Sequence, residues 1–304
     1  MADNNTTPII GAQGPAAGND KHKETETERR ARVRAIIQGY NPDAPARVYA
    51  LCQQKGGVGK TTNTIQLAGT LAEYGRRVLV LDGDPQSNAT QGLKVRPPGP
   101  KDLTQSQVVL DVLDPLPLIQ ETRVPNIFVL PSSLDMSGLS TALRDTGAGL
   151  SLYRLMVDKL RPYFDVILLD QRPALDMDTD SQLVACDGAI ICTDVDQWSM
   201  DGLKAQLVQQ RRAMARAERD GFDVLGLVIG RVAKPMGAFD AQVYKVLQNH
   251  PTVPYLGEVP VRSADLKEGR NEGLPVAQFR PRSDTAGFFR AIAENAGLIK
   301  KVAA

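Results

Sequence analysis

An α/β domain with a mostly parallel, twisted sheet of about seven or eight strands, flanked by helices on both faces, follows from three features of this 304-residue chain. Short apolar runs alternate with helix-like segments from about residue 47 onward, as a parallel sheet requires. The runs are apolar throughout rather than alternating, so both faces of each strand are expected to be covered. A glycine-rich turn, Lys55-Gly56-Gly57-Val58-Gly59-Lys60-Thr61-Thr62, stands between the first run and a helical segment.

The elements follow in order. Residues 1–46 read as a flexible extension with one charged helix. Met1 to about Asp20 has little to bury and is expected to be disordered. Lys21 to about Gln38 is expected to be helical, with Glu24, Glu26 and Glu28 before Arg29, Arg30, Arg32 and Arg34, the order that suits a helix dipole. Asn41-Pro42-Asp43-Ala44-Pro45 reads as a linker. The domain, residues 47–304, opens with a strand at Val48–Cys52. Further strands are expected at Arg77–Asp82, Ile127–Leu130, Asp165–Asp170, Ala189–Cys192 and Val224–Ile229, with a short one near Tyr255–Val259. The stretch from Pro97 to Pro125 is proline-rich and reads as irregular. Long helices are expected over Ser199–Asp220 and Ser283–Ala296.

Composition bounds the possibilities. Hydrophobic residues make up 42% of the chain, enough for one large domain. The net charge is +1, so any nucleic-acid or membrane site must be a local patch. Cys52, Cys186 and Cys192 sit in apolar runs without a paired spacing, and read as buried thiols rather than metal ligands or disulfides. No apolar stretch reaches the ~18 residues of a membrane span. No apolar core follows a basic start at the N-terminus, so a secretory signal is not expected and the cytoplasm is the default compartment.

The turn at 55–62 carries the first chemistry. Glycines let backbone N–H groups turn inward on a polyphosphate. Lys60 would reach the β- and γ-phosphates and the Thr61 hydroxyl would coordinate Mg²⁺. Asp82-Gly83-Asp84-Pro85-Gln86 ends the second strand, and Asp170 ends the fourth. Carboxylates at strand C-termini face the ligand crevice of an open sheet, and Asp170 fits the pattern of a magnesium-holding aspartate.

Two departures from the ordinary phosphate loop are informative: Gln54 stands where the first glycine is expected, and Lys55 is an additional lysine. Here the chain resembles the deviant Walker A family, the ParA/MinD ATPases, over roughly residues 47 to 298. The resemblance implies a P-loop NTPase fold of the deviant Walker A type, with ATP and Mg²⁺ as cofactors. It implies that Lys55, Gly56, Gly57, Val58, Gly59, Lys60, Thr61 and Thr62 hold the nucleotide. Lys55 would cross a dimer interface to the other subunit's nucleotide. Asp84 would position the attacking water, with Lys55 and Lys60 as the other catalytic groups. Thr61, Asp82 and Asp170 would serve the metal. Val259-Pro260-Val261-Arg262 resembles a family element that lies against adenine, which implicates Pro260; Gly273-Leu274-Pro275 follows it. Asp194–Gly202 resembles a stretch that approaches the interface, with Asp196 and Met200 as candidates there, whereas Trp198 reads as a packing residue. Gln171-Arg172-Pro173 replaces the family's usual Cys-Pro-Pro, so Arg172 reads as either a phosphate or subunit contact, or an ion pair.

The resemblance further implies slow, partner-stimulated hydrolysis, an ATP-bound homodimer on non-specific DNA, and a ParB-like centromere-binding partner. Location would be cytoplasmic and nucleoid-associated. DNA candidates are Arg212, Arg216 and Arg219, spaced i, i+4, i+7 on the long helix, with Lys234 and Arg262. Arg211, Arg231, Arg270, Arg280 and Arg282 add further cations. A positioning ATPase for a protein cargo, or a membrane-cycling ATPase, would look similar in the loop. The tail offers a membrane only Leu298, Ile299 and Val302, too little apolar area for stable binding, so no membrane partner is expected. Carriers of metal clusters or arsenite use paired cysteines, absent here.

Overall fold

The computed structural model describes residues 25–261 and 263–300. The expectations for Met1–Asp20, for the start of the first helix at Lys21, for Val302 and for Arg262 lie outside them.

Eight strands form one sheet: β1 Arg47–Cys52, β2 Val78–Gly83, β3 Gln120–Glu121, β4 Ile127–Leu130, β5 Val166–Gln171, β6 Gly188–Thr193, β7 Asp223–Val232 and β8 Tyr255–Pro260. Their order is β3-β4-β2-β5-β1-β6-β7-β8. All pairings are parallel except that of β3 with β4. The side-chain period of two divides β1 between two cores. Val48, Ala50 and Cys52 enter one, and Tyr49 and Leu51 the other. Both layers are closed by helices, which is why the strands read as unbroken apolar runs.

Helix Lys60–Glu73 covers one face together with Asp284–Asn295. On the other face lie Gly149–Asp158, Met177–Ala185 and Ser199–Arg216. Leu298 and Ile299 are buried in the first of these layers, so neither is available to a lipid surface. No helix among the described residues is long and apolar enough to cross a membrane.

Residues 25–46, read from the sequence as part of a flexible extension, are docked. Helix Glu26–Gln38 starts at a capping box, with the Glu28 N–H donating to Thr25 Oγ1 at 3.2 Å. It buries Val33 and Ile37 in the core, each worth roughly 2 kcal/mol of apolar burial. Three of its four arginines are turned to acidic residues of the domain: Arg30 to Asp102 at 3.0 Å, Arg34 to Asp114 at 3.2 Å, and Arg32 to Glu121. Tyr40 donates to Asp165 at 2.7 Å, and the Arg77 guanidinium lies 4.2 Å from the Tyr40 ring centre. The proline-rich stretch also holds more structure than expected. Helix Gln105–Leu110 starts at a Thr104/Gln107 capping box, and strand β3 closes the sheet edge.

The N-terminal end of the central strands is tied by a half-buried ion cluster. Asp187 accepts from Arg161 at 2.7 Å, from Arg219 at 3.2 Å and from the Val48 N–H at 2.8 Å. Burial alone would raise the Asp187 pKa, but these partners outweigh it and hold the carboxyl below its usual range. A carboxyl depressed in the folded state stabilises above its unfolded value of about 3.9, and that stability is lost as pH falls through the folded value. Asp187→Asn is therefore expected to destabilise the domain by about 2 kcal/mol at pH 7. In urea unfolding the deficit should shrink progressively as pH falls below about 3.9, because the unfolded wild-type chain then takes up a proton that the folded state resists. An equal deficit at pH 7 and pH 3 would contradict this account.

Candidate active site

The phosphate loop lies at the C-terminal edge of β1. Gly59 caps the following helix at φ 98° and Gly57 stands at φ 78°, conformations that a side chain would strain. Lys60 begins the helix and is buried. Its ammonium donates back to the Lys55 carbonyl at 3.0 Å, closing the loop on itself. Burial lowers the Lys60 pKa, and the negative groups around it only partly oppose this. A desolvated ammonium within a ring of backbone N–H groups is a strong receptor for phosphate oxygens.

Two carboxylates face this loop. Asp82 of β2 and Asp170 of β5 are register partners, and both are fully buried. Asp82 accepts from the Thr90 N–H at 2.8 Å and the Thr90 hydroxyl at 2.6 Å, and from the Asp84 N–H at 3.3 Å. It thereby fixes the turn that carries Asp84. Asp170 accepts from the Thr64 hydroxyl at 3.3 Å through Oδ1, while Oδ2 is buried without a hydrogen-bond partner. Burial, then the neighbouring Asp82 charge, raise the Asp170 pKa; the Thr61 hydroxyl and Lys60 oppose them. Burial likewise raises that of Asp82.

The orphaned oxygen beside Thr61 is a test of fit for magnesium, and the donor set passes it. No group of three or more His, Cys, Asp or Glu side chains among the described residues gathers as a metal cage. Magnesium at phosphate sites instead uses one or two protein oxygens, with waters and phosphates completing the shell. Thr61 and Asp170 supply that pattern. Asp82 is the less available of the two aspartates because Thr90 occupies it.

Asp84 is half-buried at the mouth of the crevice, where its Oδ1 accepts the Gln86 N–H at 2.9 Å. Ser132, beyond β4, donates to the Asp84 carbonyl, and the Ser87 hydroxyl donates to the Ser132 carbonyl at 3.0 Å. Ser87 belongs to the same sequence stretch as Asp84, whereas Ser132 was not legible as a site residue, since only the pairing of β2 with β4 brings it to this turn.

Lys55 and Lys60 have different partners. The Lys55 ammonium lies between Asp194, at 2.8 Å, and Asp196, and its side chain is 34% exposed. Partial burial would lower its pKa, but the hydrogen bonds to the two aspartates outweigh this and raise it. Asp196 was expected near this region; Asp194, the principal clamp, opens the same expected stretch but was not singled out as a candidate. The signal available for it was position, because it follows β6, the neighbour of β1. Val58 is buried, and Gly56 and Gly57 are exposed at the loop's rim. Thr61 and Thr62 are half-buried in the first helical turn. Pro260 ends β8, paired with Val232. The nearby Gly273-Leu274-Pro275 element packs on the loop's helix instead: the Val276 N–H donates to Gln66 at 2.7 Å and Gln278 donates to the Gly69 carbonyl at 2.8 Å. Trp198 is 63% exposed rather than packed, and Met200 is half-buried.

Arg172 turns inward to Asp176 and Asp178 rather than toward the loop. Burial raises the Asp178 pKa to about 6 despite this partner. Among the DNA candidates, Arg212 is exposed, and Arg216 is exposed with Asp180 at 3.2 Å. Lys234 is exposed and paired with Glu258. Arg219 corrects the expectation of a shared face. The helix ends at Arg216, Glu218 reverses the chain at φ 48°, and Arg219 is drawn inward to Asp187 and the Val184 carbonyl.

A carboxyl with a raised folded pKa costs stability above about pH 3.9, increasingly as pH climbs toward the folded value. Asp170→Asn is thus expected to raise the melting temperature of the nucleotide-free protein at pH 7.5 by a few degrees, about 1 kcal/mol or more. The same variant should lose the magnesium-dependent part of the thermal shift given by ATP. A less stable variant with a full magnesium-dependent shift would contradict the assignment.

Comparison with known proteins agrees with this geometry. A family model described as an AAA domain matches residues 46–223. The chain is 32% identical over 256 residues to the chromosome-partitioning ATPase Soj of Thermus thermophilus, covering 83% of this chain and 95% of that one. It is 30% identical over 240 residues to the chromosome partitioning protein ParA of Caulobacter vibrioides, covering 76% and 86%. The fold matches a McdA–ATP complex from Cyanothece with a TM-score of 0.76 at 22% identity, over 86% of this chain and 100% of that one. MinD of Pyrococcus horikoshii, complexed with Mg-ADP, matches with a TM-score of 0.66 at 26% identity, over 84% and 96%. Phosphate loop, carboxylate pair, sheet order and relatives converge: the chain belongs to the AAA-domain family of P-loop ATPases and, within it, to the ParA-type partition ATPases.

Proposed function

We propose that this ATPase works as a DNA-partition switch in which two copies close over two Mg·ATP molecules, bind DNA without sequence preference and are released by hydrolysis. The observation that carries this reading is Lys55. Lys60 already serves the chain's own loop, and Lys55 is held at the crevice mouth by side chains rather than by the loop. A second lysine so placed is suited to a nucleotide held by another subunit.

Thr61 and Asp170 would hold the magnesium ion, which supplies positive charge to the β- and γ-phosphates. Lys60 and the loop N–H groups orient the phosphates. Asp84, at the mouth of the crevice, is the group to orient and accept a proton from the attacking water. Closure of the dimer would require Lys55 to leave Asp194 and Asp196, and it would exclude water from the site. DNA contacts are assigned to Arg212, Arg216, Lys234 and Arg262. Each would make a modest phosphate contact, and affinity would come from counterion release. A ParB-like protein with a basic segment is the proposed stimulating partner. Soj and ParA, both described as chromosome-partitioning proteins, support the cargo class. The burial of Leu298 and Ile299 removes support for membrane cycling.

Lys55→Ala is expected to bind ATP with near wild-type affinity while remaining monomeric by light scattering. An ATP-dependent dimer of this variant would sink the sandwich reading. Asp84→Ala should bind ATP and dimerise while kcat falls by roughly 10²–10⁴-fold. Steady-state phosphate release at the wild-type rate would move the water-orienting role elsewhere.

A further inference from the structure

Arg231 is placed where a surface arginine has no reason to be. It stands at the C-terminal end of β7, the sheet edge on which the phosphate loop lies. The pairing of β7 with β8 slips between Ile229 and Val232, so Gly230 and Arg231 form an irregularity in the strand. Such irregularities next to active sites re-aim a side chain. Arg231 adopts φ 57°, a left-handed conformation that is rare for a bulky residue. Among the described residues its exposed side chain has no ion pair or hydrogen bond that would account for this backbone.

Two contacts show where the irregularity directs it. At Gly230 a Cβ would come within 2.8 Å of the Val58 carbonyl, so the strand backbone is pressed against the phosphate loop itself. At Gly57 the nearest neighbour of a Cβ would be Arg231 Nη1, at 3.9 Å. The guanidinium therefore lies beside the second glycine of the loop, on the exposed rim, while Lys60 is buried within the loop. A second arginine that follows a central strand at this edge, Arg172, is committed to Asp176 and Asp178. A permanently charged, planar donor fork with no carboxylate partner, one residue's width from an anion-binding loop, fits a phosphate.

We propose that Arg231 is a nucleotide-binding residue whose guanidinium contacts the polyphosphate held in the same chain's loop, rather than a DNA contact. This rests on the reading that the loop binds Mg·ATP. Burying the strand backbone on the loop fixes the arginine's origin, and the left-handed turn aims it at the rim. Bound nucleotide would then be held from within by Lys60 and from the solvent side by Arg231.

Binding of a fluorescent ATP analogue would be measured for the full chain and for Arg231→Ala, Arg231→Lys and Lys60→Ala, with random-sequence DNA retention in parallel. Arg231→Ala should weaken nucleotide binding by about tenfold or more, the loss expected for one charge-assisted hydrogen bond. Arg231→Lys should recover part of that loss, because a point charge still serves a phosphate although the planar fork is gone. Unfolding midpoints for both should match wild type. If Arg231→Ala binds within twofold of wild type, the proposal is overturned, and a selective loss of DNA retention would return Arg231 to the DNA surface. If Arg231→Lys is as weak as Arg231→Ala, a planar contact with the base replaces the phosphate contact and the proposal is again overturned. Equal binding by wild type and Lys60→Ala would overturn the loop reading itself, a separate outcome.

Discussion

Asp82 and Asp170 face one another on adjacent parallel strands, both removed from water, and much of the molecule is arranged around that repulsion. Two buried carboxylates in register are costly unless a cation or a set of donors answers them. Thr90 answers Asp82 and in doing so fixes the turn that presents Asp84. Thr64 answers only one oxygen of Asp170. The remaining demand for positive charge is met by Lys60 and, under the proposed function, by magnesium brought in with the nucleotide. The site is thus least comfortable when empty, which gives nucleotide binding a structural consequence as well as an affinity.

The same strand ends carry that consequence outward. Gln182 donates to the Gly83 carbonyl at 3.1 Å, beside Asp82, and to Asp178 at 3.1 Å. Asp178 in turn holds Arg172, two residues past Asp170. Gln171 donates to the Thr179 carbonyl at 2.8 Å, and Gln209 of the long helix donates to Thr179 and Asp180, each at 3.0 Å. Asp180 then meets Arg216 at the surface. Buried polar networks of this kind hold their members in one arrangement, because a half-satisfied network is costly. The substitution of Gln171-Arg172 for an apolar-proline trio makes sense here. Both residues are anchored at helix Met177–Ala185, so the segment after β5 is tied there by hydrogen bonds and ion pairs.

The interior of the sheet was legible in the sequence because parallel strands advertise themselves as unbroken apolar runs. The expected strand at Ile127–Leu130 was found with those bounds, and those ending near Asp82 and Asp170 were found within a residue. Where the sequence was silent, the cause was tertiary. The antiparallel strand β3 is two residues long and has no pattern of its own. Asp194, Ser132 and Arg231 lie far from the loop in the chain and reach it only through strand order. The long helix was overrun by four residues because Arg219 continues the helical spacing, while Asp187 decides where the side chain goes. The docking of helix Glu26–Gln38 depends on two apolar residues in a highly charged segment, too sparse a stripe to announce a buried face.

The most direct test of the account is retention on random-sequence duplex DNA at one fixed salt concentration, compared between Mg·ATP, Mg·ADP and no nucleotide. Retention with Mg·ATP alone is predicted, because only a closed dimer would join the modest cationic surfaces of two chains. Equal retention in all three conditions, or none in any, would contradict a nucleotide-gated DNA switch.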